Sequence, residues 1–341
     1  MNAAALATLR AVGLGELTTQ LGAKPLDELW LVSGRWRASI PLPGGRAVSR
    51  EAFDAALVEH AVWAGADFLP HTLVTLGTGE GPTRRLILCD GQQQVSVEAR
   101  VVLAADGLSG RFLEHERDFG VSVTHDSRVG VGTIVNESPS FYRSGTIFMV
   151  CEAGGYVGLV RLEDGRLNVA AALDPSFVRN SGGPGRAVAI VLERVGLPPL
   201  DNLVALPWLG TPPLSRRRLQ LAAHRLFVLG DTAGYVEPFT GEGIAWALAS
   251  GVAVTPLALK AVGCWTPTLA SQWMMLHRRL LGQRQTTCRV VTRLLRRVVL
   301  TRAAVSALSQ APVLAAPLVR YLNSQLPLSR DMSEFECAAR L

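Results

Sequence analysis

The sequence has almost no lysine, few aromatic residues and no basic tract. Arginine and lysine together number 34, yet only Lys24 and Lys260 are lysines, so arginine carries the net charge of +6. We attribute this arginine bias to genome composition and not to a nucleic-acid site. No basic stretch is interleaved with the stacking aromatic residues that nucleic-acid recognition uses. We therefore expect no nucleic-acid partner.

Cysteine pairs and targeting segments are also missing. The five cysteines are dispersed and form no C-x-x-C pair: Cys89, Cys151, Cys264, Cys288 and Cys337. An odd, scattered set argues against a disulfide framework or a zinc site and suits a reducing compartment. The first residues do not read as a signal peptide, and no stretch of about 18 uncharged apolar residues is evident. The sequence predicts a cytoplasmic protein without a metal site.

What is present is a globular chain of 341 residues, 48% apolar and 18% charged, enough for one large or two ordinary domains. Apolar spacing predicts a helix over 3–12 and a second helix after the N-cap Ser49, with Phe53, Leu57, Ala61 and Ala64 on one face and Gly65 as its end. Strand patterns cover the regions 29–48 (turning at Pro43-Gly44-Gly45), 67–76, 84–89 and 93–104.

The pattern of predicted secondary structure changes twice along the chain. Residues 119–215 read as an antiparallel sheet with one helix near 185–195, and a buried strand at Arg225–Leu229 then leads to a helix over about 241–262. From 268 to about 323 the chain is helical and arginine-rich. We expect a discontinuous nucleotide-binding domain (1–118 and 216–268), an inserted sheet domain (119–215) and C-terminal helices (269–341).

The most informative segment is RLFVLGDTAGYVEPFTGEGIAWALASG, residues 225–251. A buried strand delivers Gly230-Asp231, and Gly241-Glu242-Gly243 opens a helix. A carboxylate at a strand end can accept hydrogen bonds from sugar-like hydroxyls, and a helix that begins with glycine presents free N–H groups to a ligand. The alternative is a strand–loop–helix turn whose glycines serve packing alone.

This string resembles the second flavin motif of the FAD-dependent oxidoreductases related to geranylgeranyl reductase, para-hydroxybenzoate hydroxylase and the flavin-dependent halogenases. The resemblance implies an α/β fold (α+β overall) with a Rossmann-like three-layer FAD domain and an inserted antiparallel substrate domain. In that family the aspartate binds the ribityl chain and the helix faces the isoalloxazine. The cofactor-binding candidates in the string are Gly230, Asp231, Pro238, Gly241, Glu242, Gly243 and Ile244.

Two further segments resemble the same family. VVLAADGLSGRF, residues 101–112, matches its strand-D-G loop, so Asp106 and Gly107 are expected near the cofactor. In residues 49–74, Arg50 matches an arginine beside the flavin and Val74 a residue whose backbone touches adenine. Taken alone, the D-G pair could be an ordinary turn and Arg50 an exposed residue in a first helical turn.

The family's opening strand and G-x-G-x-x-G are not found. Gly13-Leu14-Gly15 follows a helix, and Gly130-Val131-Gly132 lies between sheet strands, so neither substitutes. We expect an N-terminal truncation that removes the first βαβ unit, either because the gene start is misassigned and the full protein holds FAD, or because the chain is a remnant that binds FAD weakly or not at all.

The resemblance implies FAD chemistry, with NAD(P)H as reductant and a small apolar, lipid-like or polyketide-like substrate. We predict a reductase or dehydrogenase; the alternatives are a monooxygenase (hydroxylase) and a cofactor-free binding module. The Y-x-W-x-F-P segment of geranylgeranyl reductases keeps only Tyr156 here, in GYVGLV. No catalytic acid or base stands out, since His60, His71 and His125 read as structural residues.

An arginine-rich helix follows near the C-terminus. Arg289, Arg293, Arg296 and Arg297 share one face of it. They form either a solvated face or an interfacial helix that contacts anionic lipid, which would make the protein peripheral at a membrane.

Overall fold

The computed structural model describes residues 1–77 and 81–327. The end of the predicted C-terminal helical region, from 328 to 341 with Cys337, lies outside the described residues. The described part contains nine α-helices: α1 (Ala3–Ala11), α2 (Leu17–Gln20), α3 (Arg50–Trp63), α4 (Pro175–Asn180), α5 (Pro184–Arg194), α6 (Gly243–Gly263), α7 (Pro267–Leu295), α8 (Val298–Gln310) and α9 (Ala316–Asn323).

The same part contains eighteen strands, several of only two or three residues. They are β1 (Lys24–Pro25), β2 (Glu28–Ser33), β3 (Trp36–Pro41), β4 (Arg46–Ala47), β5 (Leu73–Leu76), β6 (Arg84–Cys89), β7 (Gln94–Ala99), β8 (Val102–Ala104), β9 (Val121–Val123), β10 (Val129–Val135), β11 (Thr146–Glu152), β12 (Gly155–Arg161), β13 (Leu167–Leu173), β14 (Leu209–Pro213), β15 (Arg216–Arg218), β16 (Ala222–Ala223), β17 (Leu226–Val228) and β18 (Gly234–Tyr235). The predicted mixed α/β class is confirmed.

The largest sheet has seven strands in the order β14-β10-β13-β12-β11-β2-β3, with β11 and β2 parallel and the other neighbours antiparallel. Successive side chains point to opposite faces. Val150 and Val157 therefore pack with Val188 of α5 on one face, whereas Cys151 lies on the other with Val305 of α8. The sheet is covered by helices on both faces.

The sheet includes β2 and β3. These strands come from residues 28–41, which were predicted to belong to the nucleotide-binding part. The predicted turn at Pro43-Gly44-Gly45 is wrong. The hairpin closes at Gly34-Arg35, between the paired residues Ser33 and Trp36, because a two-residue loop whose first residue takes positive φ (Gly34, 55°) matches strand twist.

The nucleotide-fold part is built around β8 and β17, which are parallel, with β16 antiparallel to β17. The predicted single strand over 93–104 is wrong: it divides near Arg100 into β7, which pairs with β6, and β8, which pairs with β17. Each half forms ladder hydrogen bonds with a different partner, so the chain must turn between them. The predicted strand over 67–76 forms only from Leu73 onward.

The two early helices form as predicted. The Asn2 side chain caps α1 by accepting from the Ala5 N–H, and Ser49 caps α3 by accepting from the Ala52 N–H. Phe53 is buried, whereas the predicted core residues Ala61 and Ala64 are exposed, because little of the chain packs against the last turns of α3.

Helix α6 is long and apolar enough to cross a membrane by length and composition, which the sequence reading did not recognise. The helices α8 and α9 pass the same test only together, with a bend of 119° between them. Much of α6 packs inside the protein: Trp246, Ala249 and Val254 are buried against α1 and α7. This packing positions the start of α6 beside the Gly230-Asp231 turn.

Candidate cofactor site

The Gly230-Asp231 turn stands at the carboxyl end of β17, whose three residues are fully buried. Gly230 has φ of 60°, a left-handed conformation that glycine adopts without strain. Its N–H donates to Ser250 Oγ on α6 at 3.1 Å. The turn is therefore anchored between the small sheet and the helix behind it.

Asp231 presents a carboxylate that accepts no hydrogen bond from the parts of the chain described. Burial raises its pKa from 3.8 to about 6, and the nearby positive charge of Arg50 opposes that rise. Arg50, in the first turn of α3, is itself bound to Asp54 at 2.9 Å. The fold thus brings Arg50 and Asp231, 181 positions apart, into one electrostatic neighbourhood.

The start of α6 lies next to Tyr235, which follows the Gly230-Asp231 turn. A Cβ on Gly243 would contact the Tyr235 ring at 3.6 Å and its hydroxyl at 3.7 Å. Burial, together with the negative charge of Asp231, raises the pKa of Tyr235. The preceding turn, Pro238–Thr240, ends at Gly241 in left-handed conformation with φ of 68°. The start of α6 therefore shares Tyr235 as a neighbour with the Asp231 carboxylate.

Glu242 is turned away from this helix start. Its carboxylate is buried and forms an ion pair with Arg284 of α7 at 2.7 Å, and Arg284 also donates to the Ser324 carbonyl at 2.7 Å. Burial raises the pKa of Glu242, whereas Arg284 lowers it. The side chain joins α6 to α7, so any contact of Glu242 with a cofactor would come from its backbone. Arg284 was missed in the sequence, where nothing distinguishes it from the other arginines of α7.

The D-G loop meets the Gly230-Asp231 turn through one hydroxyl. Thr232 Oγ1 lies 3.1 Å from Asp106 Oδ1 and 3.1 Å from the Gly107 carbonyl. The other Asp106 oxygen accepts the Phe112 N–H at 2.9 Å, and Gly107 has φ of 77°. The Asp106 carboxylate therefore shapes its own loop and ties it to the turn.

A buried arginine that the sequence analysis did not single out holds these loops together. Arg218 donates to the carbonyls of Thr232 at 3.0 Å, Phe119 at 2.5 Å and Gly110 at 3.3 Å. Desolvation lowers its pKa and the charge of Asp106 raises it. Its position within the run of three arginines gave no signal, because burial is decided by the β15 pairing.

The remaining predicted residues lie around this centre. Ile244 packs with Leu248 between the apolar surfaces of α1 and α3, and Pro238 is exposed at the loop before α6. Val74 lies on β5, opposite Leu88 in the separate three-stranded ribbon β5-β6-β7. The cofactor roles of all these residues stay predictions.

The large sheet contacts the site through Tyr156 on β12. Its ring meets Phe239, in the turn before α6, edge-to-face at 5.3 Å. The Tyr156 hydroxyl is buried without a hydrogen-bond partner in the described chain, and burial raises its pKa strongly. Glu237 lies nearby, with its carboxylate 3.5 Å from Arg128 and paired also with Arg296. The large sheet therefore packs against the loop before α6 through one aromatic contact and a buried cluster of charged side chains.

These residues fit the ribityl and isoalloxazine half of a flavin. Asp231 is an acceptor to which no described residue donates, which suits a polyol hydroxyl, and the Gly243 end of α6 offers N–H groups and a partial positive charge. Among the described residues no group of three or more His, Cys, Asp or Glu could hold a metal ion.

Comparisons with known proteins bear on the family to which the chain is similar. No family model matches the chain. It is 26% identical over 280 residues to a digeranylgeranylglycerophospholipid reductase of Methanoculleus marisnigri, covering 74% of this chain and 67% of the relative. It is 27% identical to digeranylgeranylglycerophospholipid reductase 1 of Methanothermobacter thermautotrophicus, covering 69% of this chain and 58% of the relative. The chain thus spans roughly three fifths to two thirds of these relatives.

Solved structures share the fold at low identity. A triple mutant of the flavin-dependent brominase Bmp2 aligns with a TM-score of 0.77 and 13% identity, covering 100% of this chain and 88% of that one. A flavoprotein/dehydrogenase from Cytophaga hutchinsonii aligns at 0.76 and 14%, covering 100% and 89%. The p-nitrophenol 4-monooxygenase of Pseudomonas putida aligns at 0.72 and 14%, covering 94% and 86%. The predicted resemblance to the superfamily of FAD-dependent oxidoreductases is confirmed, and its named members are enzymes.

Proposed function

We propose that this chain supplies the ribityl- and isoalloxazine-binding half of an FAD-dependent reductase that acts on an apolar, lipid-like substrate. The observation that carries the proposal is the half-buried Asp231 carboxylate, which accepts no hydrogen bond from the described residues and lies in the same neighbourhood as the glycine-opened start of α6. A carboxylate in that position is stabilised when ligand hydroxyls donate to it.

The chain's residues have separable tasks in this proposal. Asp231 would accept hydrogen bonds from the ribityl hydroxyls of a bound flavin, and the N–H groups at the Gly243 end of α6 would stabilise the negative charge that a flavin gains on reduction. Thr232 and Asp106 hold the D-G loop against the turn. When bound, the flavin supplies hydride transfer. Tyr156 and Phe239 pack against each other and so close the sheet over the loop before α6, which would limit the access of water to a bound flavin.

The choice of a reductase rests on the two curated relatives, both named as reductases of a phospholipid. The second candidate is a hydroxylase, favoured by the p-nitrophenol monooxygenase among the structures that share the fold. NAD(P)H is the proposed reductant for either activity. The two differ in the fate of oxygen: a hydroxylase consumes one O2 for each substrate, whereas a reductase transfers reducing equivalents to substrate without O2.

The test begins with the full chain and its Asp231→Asn variant, titrated with FAD and followed by flavin fluorescence and absorbance. We expect wild type to bind and perturb the flavin spectrum, and the variant to bind about tenfold more weakly, because a charge-assisted hydrogen bond is lost. Asp201→Asn, at an exposed turn of the sheet domain, is the matched control and should equal wild type. Equal affinities for all three proteins, or no binding by wild type, would reject the proposal.

A further inference from the structure

A concave surface lies between α7 and the strand pair β15-β18. It consists of two adjoining hollows of about 430 and 480 Å³ that share part of their walls. The residues that line both are Arg216, Arg217, Tyr235, Val236 and Arg289. We call this continuous surface the arginine cleft. It divides the arginine face predicted from the sequence: Arg289, Arg293 and Arg296 line the cleft, and Arg297 is exposed outside it.

The charge lining the cleft is strongly unbalanced. Seven arginines line it: Arg216, Arg217, Arg218, Arg278, Arg289, Arg293 and Arg296. The acidic lining residues are Asp126 and Glu237, and both are paired with Arg296. Within residues 1–77 and 81–327, no carboxylate lies within ion-pair distance of Arg217, Arg289 or Arg293. Among the described residues, therefore, three guanidinium groups of the cleft have no carboxylate as counter-charge.

These guanidinium groups are close enough to repel one another. Arg289 is half-buried; desolvation lowers its pKa first, and the positive charges of Arg217 and Arg293 lower it further. Arg289 and Arg293 are one helical turn apart on α7, so their side chains lie on the same face. Arg217 reaches the same space from β15, where it stands opposite Gly234, which has no side chain. Bringing like charges from two elements into one hollow costs electrostatic repulsion, which does not stabilise the fold.

We propose that the arginine cleft binds a phosphate-bearing anion, with Arg217, Arg289 and Arg293 as its cationic ligands. Planar guanidinium groups match the oxygen geometry of phosphate with paired hydrogen bonds. Three uncompensated positive charges suit a diphosphate or phosphomonoester better than a single carboxylate. The phosphate can belong to a dissolved compound or to a lipid headgroup, and the chemistry at the arginines is the same. The cleft shares Tyr235 and Arg218 with the surroundings of the candidate cofactor site, but its three proposed ligands, Arg217, Arg289 and Arg293, are not among the residues expected to bind FAD.

The first experiment measures binding of inorganic pyrophosphate to the full chain by calorimetry at low and moderate salt. Wild type should bind, with affinity that falls as salt rises. Arg217→Ala and Arg289→Ala should each weaken binding about tenfold or more. Arg279→Ala removes the same charge from α7 outside the two hollows, and it should stay within about twofold of wild type, as expected for a screened charge. No binding by wild type, or equal weakening in Arg279→Ala, would overturn the proposal.

Thermal unfolding separates loss of the site from loss of the fold. Removing one of several repelling arginines should leave the melting temperature of Arg289→Ala equal to that of wild type or higher. At the same pyrophosphate concentration wild type should gain more stability than the variant, because the variant binds more weakly. A variant that gains as much stability with pyrophosphate as wild type would contradict the assignment of Arg289.

The second experiment identifies the source of the phosphate with vesicles of phosphatidylcholine alone and with one fifth phosphatidylglycerol. Sedimentation with the anionic vesicles that depends on Arg217 and Arg289 supports a lipid headgroup in the cleft. Pyrophosphate binding without sedimentation supports a dissolved phosphate compound. Sedimentation that depends on Arg297 and not on Arg217 would show surface adsorption and overturn the cleft as the phosphate site.

Discussion

The Thr232 hydroxyl donates to the Asp106 carboxylate at 3.1 Å and thereby joins two loops that are 126 positions apart in the chain. Each loop was identified separately, as a D-G turn after β8 and as a G-D turn after β17. Because β8 and β17 are parallel neighbours, their carboxyl ends meet at one edge of the small sheet, where α/β proteins place ligands. One hydrogen bond therefore links the geometry of both halves of the candidate site.

Replacing Thr232 by valine should loosen that link. The variant keeps the shape of the side chain but leaves the Asp106 and Gly107 acceptors without this donor, so we expect a loss of about 1–2 kcal/mol in the free energy of unfolding. Urea denaturation measures it. Thr255→Val, on the exposed face of α6, is the control and should change stability by less than about 0.5 kcal/mol. Equal losses in both variants would show that the hydroxyl bridge contributes nothing specific.

Asp231 should make the stability of the protein depend on pH. Its pKa is about 6 in the folded chain and 3.8 ordinarily, so between these values the folded state binds more protons than the unfolded state. Stability is therefore expected to fall as pH rises from 4 towards 7, by at most roughly 3 kcal/mol. Asp231→Asn should remove this slope. An unchanged slope in the variant would assign the dependence to other groups.

The same ionisation should control FAD affinity. Hydroxyl donors bind the charged carboxylate more strongly than the neutral acid, so affinity for FAD should increase as pH rises through about 6, the pKa of Asp231. Fluorescence titrations at pH 5 and 7.5 test this expectation. The Asp231→Asn protein should show the same affinity at both pH values, and a parallel increase in the variant would contradict the role given to Asp231.

Two glycines of α6 should respond in opposite ways to alanine. A Cβ on Gly243 would touch the Tyr235 ring at 3.6 Å, whereas one on Gly251 meets nothing within 4 Å. We expect Gly251→Ala to raise the free energy of unfolding by about 0.5–1 kcal/mol without changing FAD affinity. Gly243→Ala should fold normally but bind FAD more weakly, since a methyl group covers the helix start. Unchanged affinity in Gly243→Ala would place the flavin elsewhere.

The buried ion pair Glu242–Arg284 should stabilise the fold only when both partners are present. Arg284→Met strands a buried carboxylate and should cost about 3–5 kcal/mol of unfolding free energy. Adding Glu242→Gln to that variant should restore part of the loss, because the uncompensated charge disappears. The exposed pair Arg186–Glu193, at 3.1 Å, is the comparison: Arg186→Met should change stability by less than about 1 kcal/mol. Guanidinium denaturation of wild type and these three variants measures the differences in stability.

Local signals predicted much of the secondary structure. Ser49 as an N-cap, Gly65 as a helix end and the apolar run before Gly230 placed α3 and β17 correctly, because capping and burial act over a few residues. The Pro43-Gly44-Gly45 turn was predicted from its residues alone, yet the hairpin formed at Gly34-Arg35. Both segments have residues that can form a turn. Which of them closes the hairpin depends on how the flanking strands pair, and the turn residues do not encode that pairing.

The sequence by itself determined the superfamily resemblance and the glycine–aspartate turn, since both depend on residue types at fixed spacing. Only the tertiary structure decided which side chains complete that turn. It buried Arg218 beneath both loops, turned Glu242 towards Arg284 and left Asp231 without a donor. It also assembled Arg217 and Arg289 into one cleft. The physical reason is that burial and charge pairing depend on which distant segments meet, and arginines of equal local appearance acquire different partners when the sheets and helices pack.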